Sequence, residues 1–197
     1  MITREPTPER LARIRQVLAL RQKDLTLVLA NIHDPHNVSA ILRSCDAFGV
    51  PKVHLYYTFE AFPVLGRKSS ASARKWVETV RHQDSAAMIG GFRSQGMQVL
   101  ATGFGPQARP LVDCDLTRPT AIVFGNEHRG VDVELAELVP DQLFIPMQGM
   151  VQSLNVSVAA AIVLFEAWRQ RRAAGLLDHP SYSSDELEAL EASWRNK

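Results

Sequence analysis

The sequence predicts an α/β protein with a mainly parallel sheet flanked by helices. Three observations lead there. Five short apolar runs, each the length of a buried strand, are spread along the 197 residues. They alternate with segments whose apolar residues recur at helical spacing, the pattern of strand–helix–strand units. Three of the runs end in ATGFG, FGNEHRG and IPMQGM, rich in glycine, proline and polar residues, and parallel sheets bind ligands at such carboxyl ends. A 46% hydrophobic content with a net charge of only +1 is enough to bury a core and excludes a disordered chain.

The elements follow in order. PERLARIRQVLALRQ (8–22) carries apolar residues at 11, 14, 17, 18 and 20 with arginines on much of the other face, a helix. LTLVLANI (25–32) reads as a buried strand. NVSAILRSCDAFGV (37–50) reads as a helix capped by Asn37 and stopped at Gly49. VHLYYT (53–58) is a second strand, and an irregular Ser/Ala/basic stretch, GRKSSASARKW (66–76), follows it. Residues 84–95 look helical. QVLATGF (98–104) and TAIVFGN (120–126) are the third and fourth strands. VELAEL (133–138) is a short helix before Pro140, and QLFIPM (142–147) is the fifth strand. SLNVSVAAAIVLFEAWRQRRAAG (153–175) is the longest helical pattern, and residues 184–195 form a small acidic terminal helix. No internal repeat is visible.

Composition narrows the partners. Cys45 and Cys114 make no disulfide framework, so a reducing compartment is expected. The N-terminal stretch lacks the apolar core of a signal peptide, and the longest apolar run, 156–165, is half a membrane span. A cytoplasmic protein without a membrane partner is expected. Residues 1–23 carry six basic side chains against two acids, including Arg10 and Arg13. Residues 66–81 carry Arg67, Lys68, Arg74, Lys75 and Arg81 against Glu78 alone. Two such patches permit binding to a polyanion; from charge alone, solvated helix faces explain them equally well.

Several familiar sites are absent. There is no GxGxxG after the first strand, no GxxxxGK[ST] and no GxSxG. His33, Asp34 and His36 lie close together, but a polar strand-to-helix loop explains them better than metal ligation, and no metal is expected. Three other segments carry the chemistry. In NIHDPHNVSAILRSCDAFGV (31–50), Asn37 stands at a helix entrance and Arg43 six residues on, able to face the same strand-end cleft. An arginine there either forms a structural ion pair or positions phosphate with its planar fork. In AIVFGNEHRGV (121–131), a strand ends in Gly125, which permits close backbone approach, then Asn126 and Glu127. In IPMQGMVQSLNVSVAAAIVLFEAWRQR (145–171), Ser153 and Asn155 stand at the start of the long helix, where exposed amides offer a polar surface or a simple cap.

Together, NxxxxxR with AFG, FGNExxG and IPMxGMVxSLNVSVAxAI resemble, in order and spacing, the three motifs of the SpoU-TrmH family of RNA ribose 2′-O-methyltransferases. The resemblance covers about residues 10–175. It implies a SPOUT-type fold with a C-terminal trefoil knot, homodimers, and S-adenosylmethionine held among the knot loops. By matching positions, Thr102, Gly125, Ile145, Met147 and Leu154 line the cofactor pocket. Arg43 matches the family's catalytic arginine, with Asn37, Glu127, Ser153 and Asn155 at other active-site positions. The implied organisation is an N-terminal helical extension (1–24), a SPOUT methyltransferase domain (25–175) and a short C-terminal extension (176–197). The implied reaction is methyl transfer to a ribose 2′-hydroxyl of tRNA, at the D-loop guanosine 18. The alternatives are the same reaction on ribosomal RNA or another tRNA nucleotide, and a non-catalytic RNA-binding protein on this scaffold. RNA contacts are expected from Arg10, Arg13, Arg67, Lys68, Arg74 and Lys75, and no DNA partner is expected. Between Gly66 and Trp76 the chain carries SSASAR where relatives often have glycine, so the RNA-facing loop departs from the family pattern.

Overall fold

The computed structural model describes residues 5–63, 73–195 and 197. Seven strands form one sheet: β1 (Leu25–Ala30), β2 (Lys52–Tyr56), β3 (Glu78–His82), β4 (Gln98–Thr102), β5 (Arg109–Pro110), β6 (Thr120–Phe124) and β7 (Gln142–Phe144). Their order is β3-β2-β1-β6-β4-β7-β5, and every named pair runs parallel. The two central strands, β1 and β6, are buried at every residue. That is why they read as unbroken apolar runs: helices cover both faces.

Alternate side chains feed two cores. Leu25, Leu27, Leu29, Ile122 and Phe124 pack with Val38, Ile41 and Leu42 of α2 (Pro35–Ala47) and Ala160, Val163 and Leu164 of α6 (Val156–Ala173). Val28, Ala30, Ala121 and Val123 pack on the other face with Met88, Ile89 and Phe92 of α4 (Ser85–Ser94) and Leu135 of α5 (Val133–Leu138). The chain ends meet each other. α1 (Pro8–Ala19) and α7 (Ser184–Trp194) bury Ile14, Leu18 and Trp194 together, and Trp76 of the short α3 (Ala73–Trp76) lies 4.7 Å from Trp194, centroid to centroid. Buried Arg21 ties this module to the core, reaching Asp46 at 2.5 Å and the Val50 carbonyl at 3.2 Å. Buried Arg171 does the same for α6, with Asp24 at 2.6 Å and the carbonyls of Leu116 and Arg118 at 2.9 and 2.8 Å.

The structure corrects several boundaries. Asn37 is not the cap of α2. Asp34 is, accepting from the His36 N–H at 2.8 Å, and Pro35 takes the first helical position, where a missing N–H costs nothing. This leaves the Asn37 side chain inside the first turn and available for other partners. The long C-terminal helix begins at Val156 rather than 153, because Asn155 caps it through the Ser157 N–H at 2.9 Å. Two strands lack a sequence signal: β3 is a half-exposed edge without apolar alternation, and β5 has only two residues.

Candidate active site

The carboxyl ends of β4, β6 and β7 open onto a cleft of about 500 Å³, within the range of small-molecule sites. Thr102, Gly125, Ile145, Met147 and Leu154 all line it, as do Glu127, Ser153 and Asn155. Thus three sequence segments far apart in the chain converge because their strands are neighbours. Phe104 and Phe144, which sequence reasoning passes over, also line it, with ring centroids 5.6 Å apart. So does Gly103, in a turn held by Gln142, whose Oε1 accepts the Gly105 N–H at 2.8 Å. A Cβ added at Gly103 would fall 2.5 Å from that same Oε1. Thr102 directs its hydroxyl to the Val123 carbonyl at 3.2 Å, so it closes the wall between two strands.

Gly125 is required for a reason different from ligand approach. A Cβ there would fall 2.1 Å from the Gly130 carbonyl carbon. The 126–130 turn folds back on the strand end through reciprocal backbone bonds between Asn126 and Gly130 at 2.8 and 2.9 Å. Asn126 holds the turn further by accepting the His128 and Arg129 N–H groups at 2.9 and 3.2 Å.

The cleft mouth is built by a polar chain that joins all three motifs. Glu127 accepts from the Asn37 amide at 2.8 Å, from the His33 N–H at 3.0 Å and from the Asp34 N–H at 3.5 Å. Asn37 Oδ1 in turn accepts from the Asn155 amide at 3.0 Å. Partial burial works to raise the Glu127 pKa, but the Asn37 amide and the backbone donors outweigh it and hold it below the ordinary carboxylate value. Glu127 is therefore a carboxylate already held by three donors. Ser153 and Asn155 are exposed at the rim.

Arg43 is placed elsewhere. It does not line the cleft of its own chain, is exposed on α2, and forms no ion pair among the described residues. Six residues of helix carry it about 240° round from Asn37, so the two do not share a face. Arg10 and Arg13 are exposed on α1, and Arg74 and Lys75 on α3. Arg67 and Lys68 lie outside the described residues. His33 pairs with Glu60 at 3.3 Å.

Comparison with known proteins puts this site in context. The sequence profile of the SpoU rRNA Methylase family matches residues 24–165. A tRNA (guanosine(18)-2'-O)-methyltransferase of Thermus thermophilus is 45% identical over 194 residues, spanning 98% of this chain and all of the relative. The crystal structure of the Aquifex aeolicus TrmH/SpoU tRNA modifying enzyme superposes with a TM-score of 0.89 at 37% identity, over 95% of both chains. The SpoU methyltransferase AviRb of Streptomyces viridochromogenes, in complex with AdoMet, superposes with a TM-score of 0.67 at 27% identity, over 80% of this chain and 62% of that one. A profile match across most of the chain, with close relatives over its whole length and the three motifs gathered at one cleft, makes this chain a member of the SpoU methylase family.

Proposed function

We propose that the chain is an S-adenosylmethionine-dependent tRNA ribose 2′-O-methyltransferase that acts on guanosine 18. The observation that carries this reading is the Glu127–Asn37–Asn155 chain at the mouth of the cleft, which binds the three motifs into one rigid rim. The relatives named as guanosine-18 methyltransferases support the substrate. The cleft suits the methyl donor: Ile145, Met147, Leu154, Phe104 and Phe144 offer apolar surface for a purine, and the 103–105 and 125–130 turns offer backbone groups. S-adenosylmethionine supplies a methyl group on a cationic sulfur. This chain's residues must then align the ribose hydroxyl and remove its proton. Glu127 is engaged by three donors, so it orients Asn37 rather than accepting that proton. Asn155 and Ser153 hold the ribose at the rim. Arg43 binds the neighbouring RNA phosphate with its planar fork, and the phosphate oxygen accepts the hydroxyl proton.

The cleft of one chain lacks this arginine, so the reading includes a homodimer in which Arg43 reaches the partner's cleft. An apolar stripe on α6, Val158, Ile162 and Phe165, lies 47%, 37% and 51% exposed at i, i+4 and i+7, a face that a second copy would cover. The reading also includes the trefoil knot. The strand order supports it: β7 lies between β4 and β5, which the 103–108 connection joins. Residues 25–175 then form the methyltransferase domain, with the extensions 1–24 and 176–197 joined as the α1–α7 module. Exposed Arg10, Arg13, Arg74 and Lys75 supply the RNA surface, with Arg67 and Lys68 assigned to it from the sequence alone, and with no selection for DNA. No described helix is long and apolar enough to cross a membrane, and tRNA as substrate suits the cytoplasm.

Methyl transfer to a panel of unmodified tRNA and ribosomal RNA transcripts tests the reading. Labelling of tRNA alone, with calorimetric binding of S-adenosylmethionine, supports it. Labelling of ribosomal transcripts, or no donor binding, refutes it.

A further inference from the structure

Asn31 follows β1 and lies outside the cleft, yet it joins the two loops that flank Glu127. It is 2% exposed, and its φ of 50° is the one left-handed non-glycine backbone among the described residues. Asparagine tolerates this region better than other side chains, but a strained backbone persists only where its surroundings impose it. Here they do so on two sides. Asn31 Oδ1 accepts the N–H groups of Thr58, Phe59 and Glu60 at 2.9, 3.3 and 3.5 Å. Its Nδ2 donates to Thr58 Oγ1 at 3.3 Å and to Asp132 Oδ2 at 2.6 Å. Its own carbonyl accepts from the Asn126 amide at 2.7 Å, and Asn126 shapes the turn that presents Glu127.

Asp132 supplies an independent observation. It occupies the N-cap of α5, where an aspartate ordinarily accepts from the first turn of its own helix. No such bond forms; its carboxylate goes to Asn31 instead. The helix thus forgoes its side-chain cap at the same contact where β1 ends in a left-handed residue. Two local sacrifices at one junction indicate selection for geometry over stability. The 58–60 loop held by Asn31 is linked to the rim a second time: Glu60 pairs with His33, and the His33 N–H binds Glu127.

We propose that Asn31 and Asp132 are positioning residues for methyl transfer, fixing the 58–60 loop and the Glu127 turn at one separation. This rests on the methyltransferase reading above. Neither residue lines the cleft, so both act through Asn126 and Glu127, and more on the alignment of the acceptor hydroxyl at the rim than on the donor, whose apolar contacts lie on other segments.

A reciprocal exchange tests this. Asn31→Asp sets two carboxyl groups against each other at hydrogen-bond distance and removes the N–H donor of this contact. Asp132→Asn added to it restores the bond with donor and acceptor reversed. In both variants a carboxylate oxygen takes the place of Asn31 Oδ1, so the N–H groups of residues 58–60 keep their acceptor. With an unmodified tRNA transcript, Asn31→Asp is expected to lower kcat by about 10- to 100-fold, the loss typical of misplaced reacting groups. The dissociation constant of S-adenosylmethionine should rise by less than about 3-fold, because only the 125–130 turn of its cleft is disturbed and the apolar surface of Phe104, Phe144, Ile145, Met147 and Leu154 is untouched. The double variant should return kcat to within about 3-fold of wild type. Asp132→Ala, at a half-buried position, removes the contact without a buried like-charge pair, and it decides the matter if Asn31→Asp does not fold; its kcat should fall in the same range with the melting temperature little changed. Wild-type kcat in Asp132→Ala, or a folded double variant as slow as Asn31→Asp, overturns the inference. Absence of transfer by the wild-type protein refutes the methyltransferase reading instead.

Discussion

Arg43 is the residue on which the proposed chemistry turns, and its surroundings separate a catalytic role from a structural one. It is exposed, and no ion pair holds it among the described residues, so its removal leaves no buried partner uncompensated. Arg43→Ala is expected to lower turnover by about two to four orders of magnitude, the range for losing a group that assists proton transfer or steadies developing charge. Its melting temperature and S-adenosylmethionine affinity should match wild type, and Arg43→Lys should recover little, since an ammonium lacks the planar fork. Steady-state kinetics and thermal melts on one preparation check this; near-wild-type turnover would assign the residue no part in the reaction. The motif residues are legible in the sequence because their types and spacing are distinctive. The bonds between them are not. Asn37 reads as a helix cap because Asn is a favoured cap, but Asp34 and Pro35 start the helix earlier, and Asn37 is turned to Glu127 and Asn155 instead. Asn31 carries no signal, since its role depends on loops 27 and 101 residues away in sequence.

At the scale of elements, the strands whose every residue is buried announce themselves, while the edge strand β3 does not. β3 nevertheless contributes a pH-sensitive contact. His54 Nδ1 on β2 lies 2.8 Å from His82 Nε2 on β3, with the Phe92 ring edge-on to His54. A hydrogen bond between two imidazoles requires one nitrogen to remain an acceptor. Burial, then the neighbouring His82 and Lys52, hold His54 down to about 4, and burial lowers His82 as well. The unfolded chain takes up the His54 proton near its ordinary value of 6.5, so it binds more protons than the folded chain between the two values. Stability from this contact is complete above pH 6.5, declines as pH falls toward about 4, and changes no further below. Melting temperatures across that window should fall with acidity in the wild-type protein and fall less in His54→Leu; parallel curves would contradict the assignment. The helix α6 makes a different prediction. Its apolar residues exceed what the sheet can cover, a surplus visible in the sequence and left outward in the fold. On the proposed dimer, Ile162→Glu should therefore give a folded monomer by light scattering where the wild-type protein should run as a dimer, and should lose activity because the proposed reach of Arg43 into a partner's cleft is lost. A monomeric wild-type protein would remove the basis for that arrangement.

For the molecule as a whole, the alternation of strands and helices is enough to predict a parallel sheet with a binding edge, since each apolar run needs cover on both faces. The strand order is beyond that pattern: β7 inserts between β4 and β5, a crossing that depends on contacts distant in sequence. The meeting of the two chain ends through Trp76 and Trp194 is likewise invisible, because the first helix alone reads only as amphipathic and the last only as acidic. That module brings the basic face of α1 to the same body as Arg74 and Lys75, and tRNA affinity should fall steeply with salt as the bound phosphates regain their counterions; salt-independent binding would contradict this surface. The central claim, transfer to one ribose hydroxyl of tRNA, is met most directly by a single-atom change in the substrate. A tRNA transcript carrying guanosine at position 18 should accept one methyl group from S-adenosylmethionine, mapped to that ribose by mass spectrometry. The same transcript with 2′-deoxyguanosine at position 18 should accept none; equal methylation of the two would contradict the account.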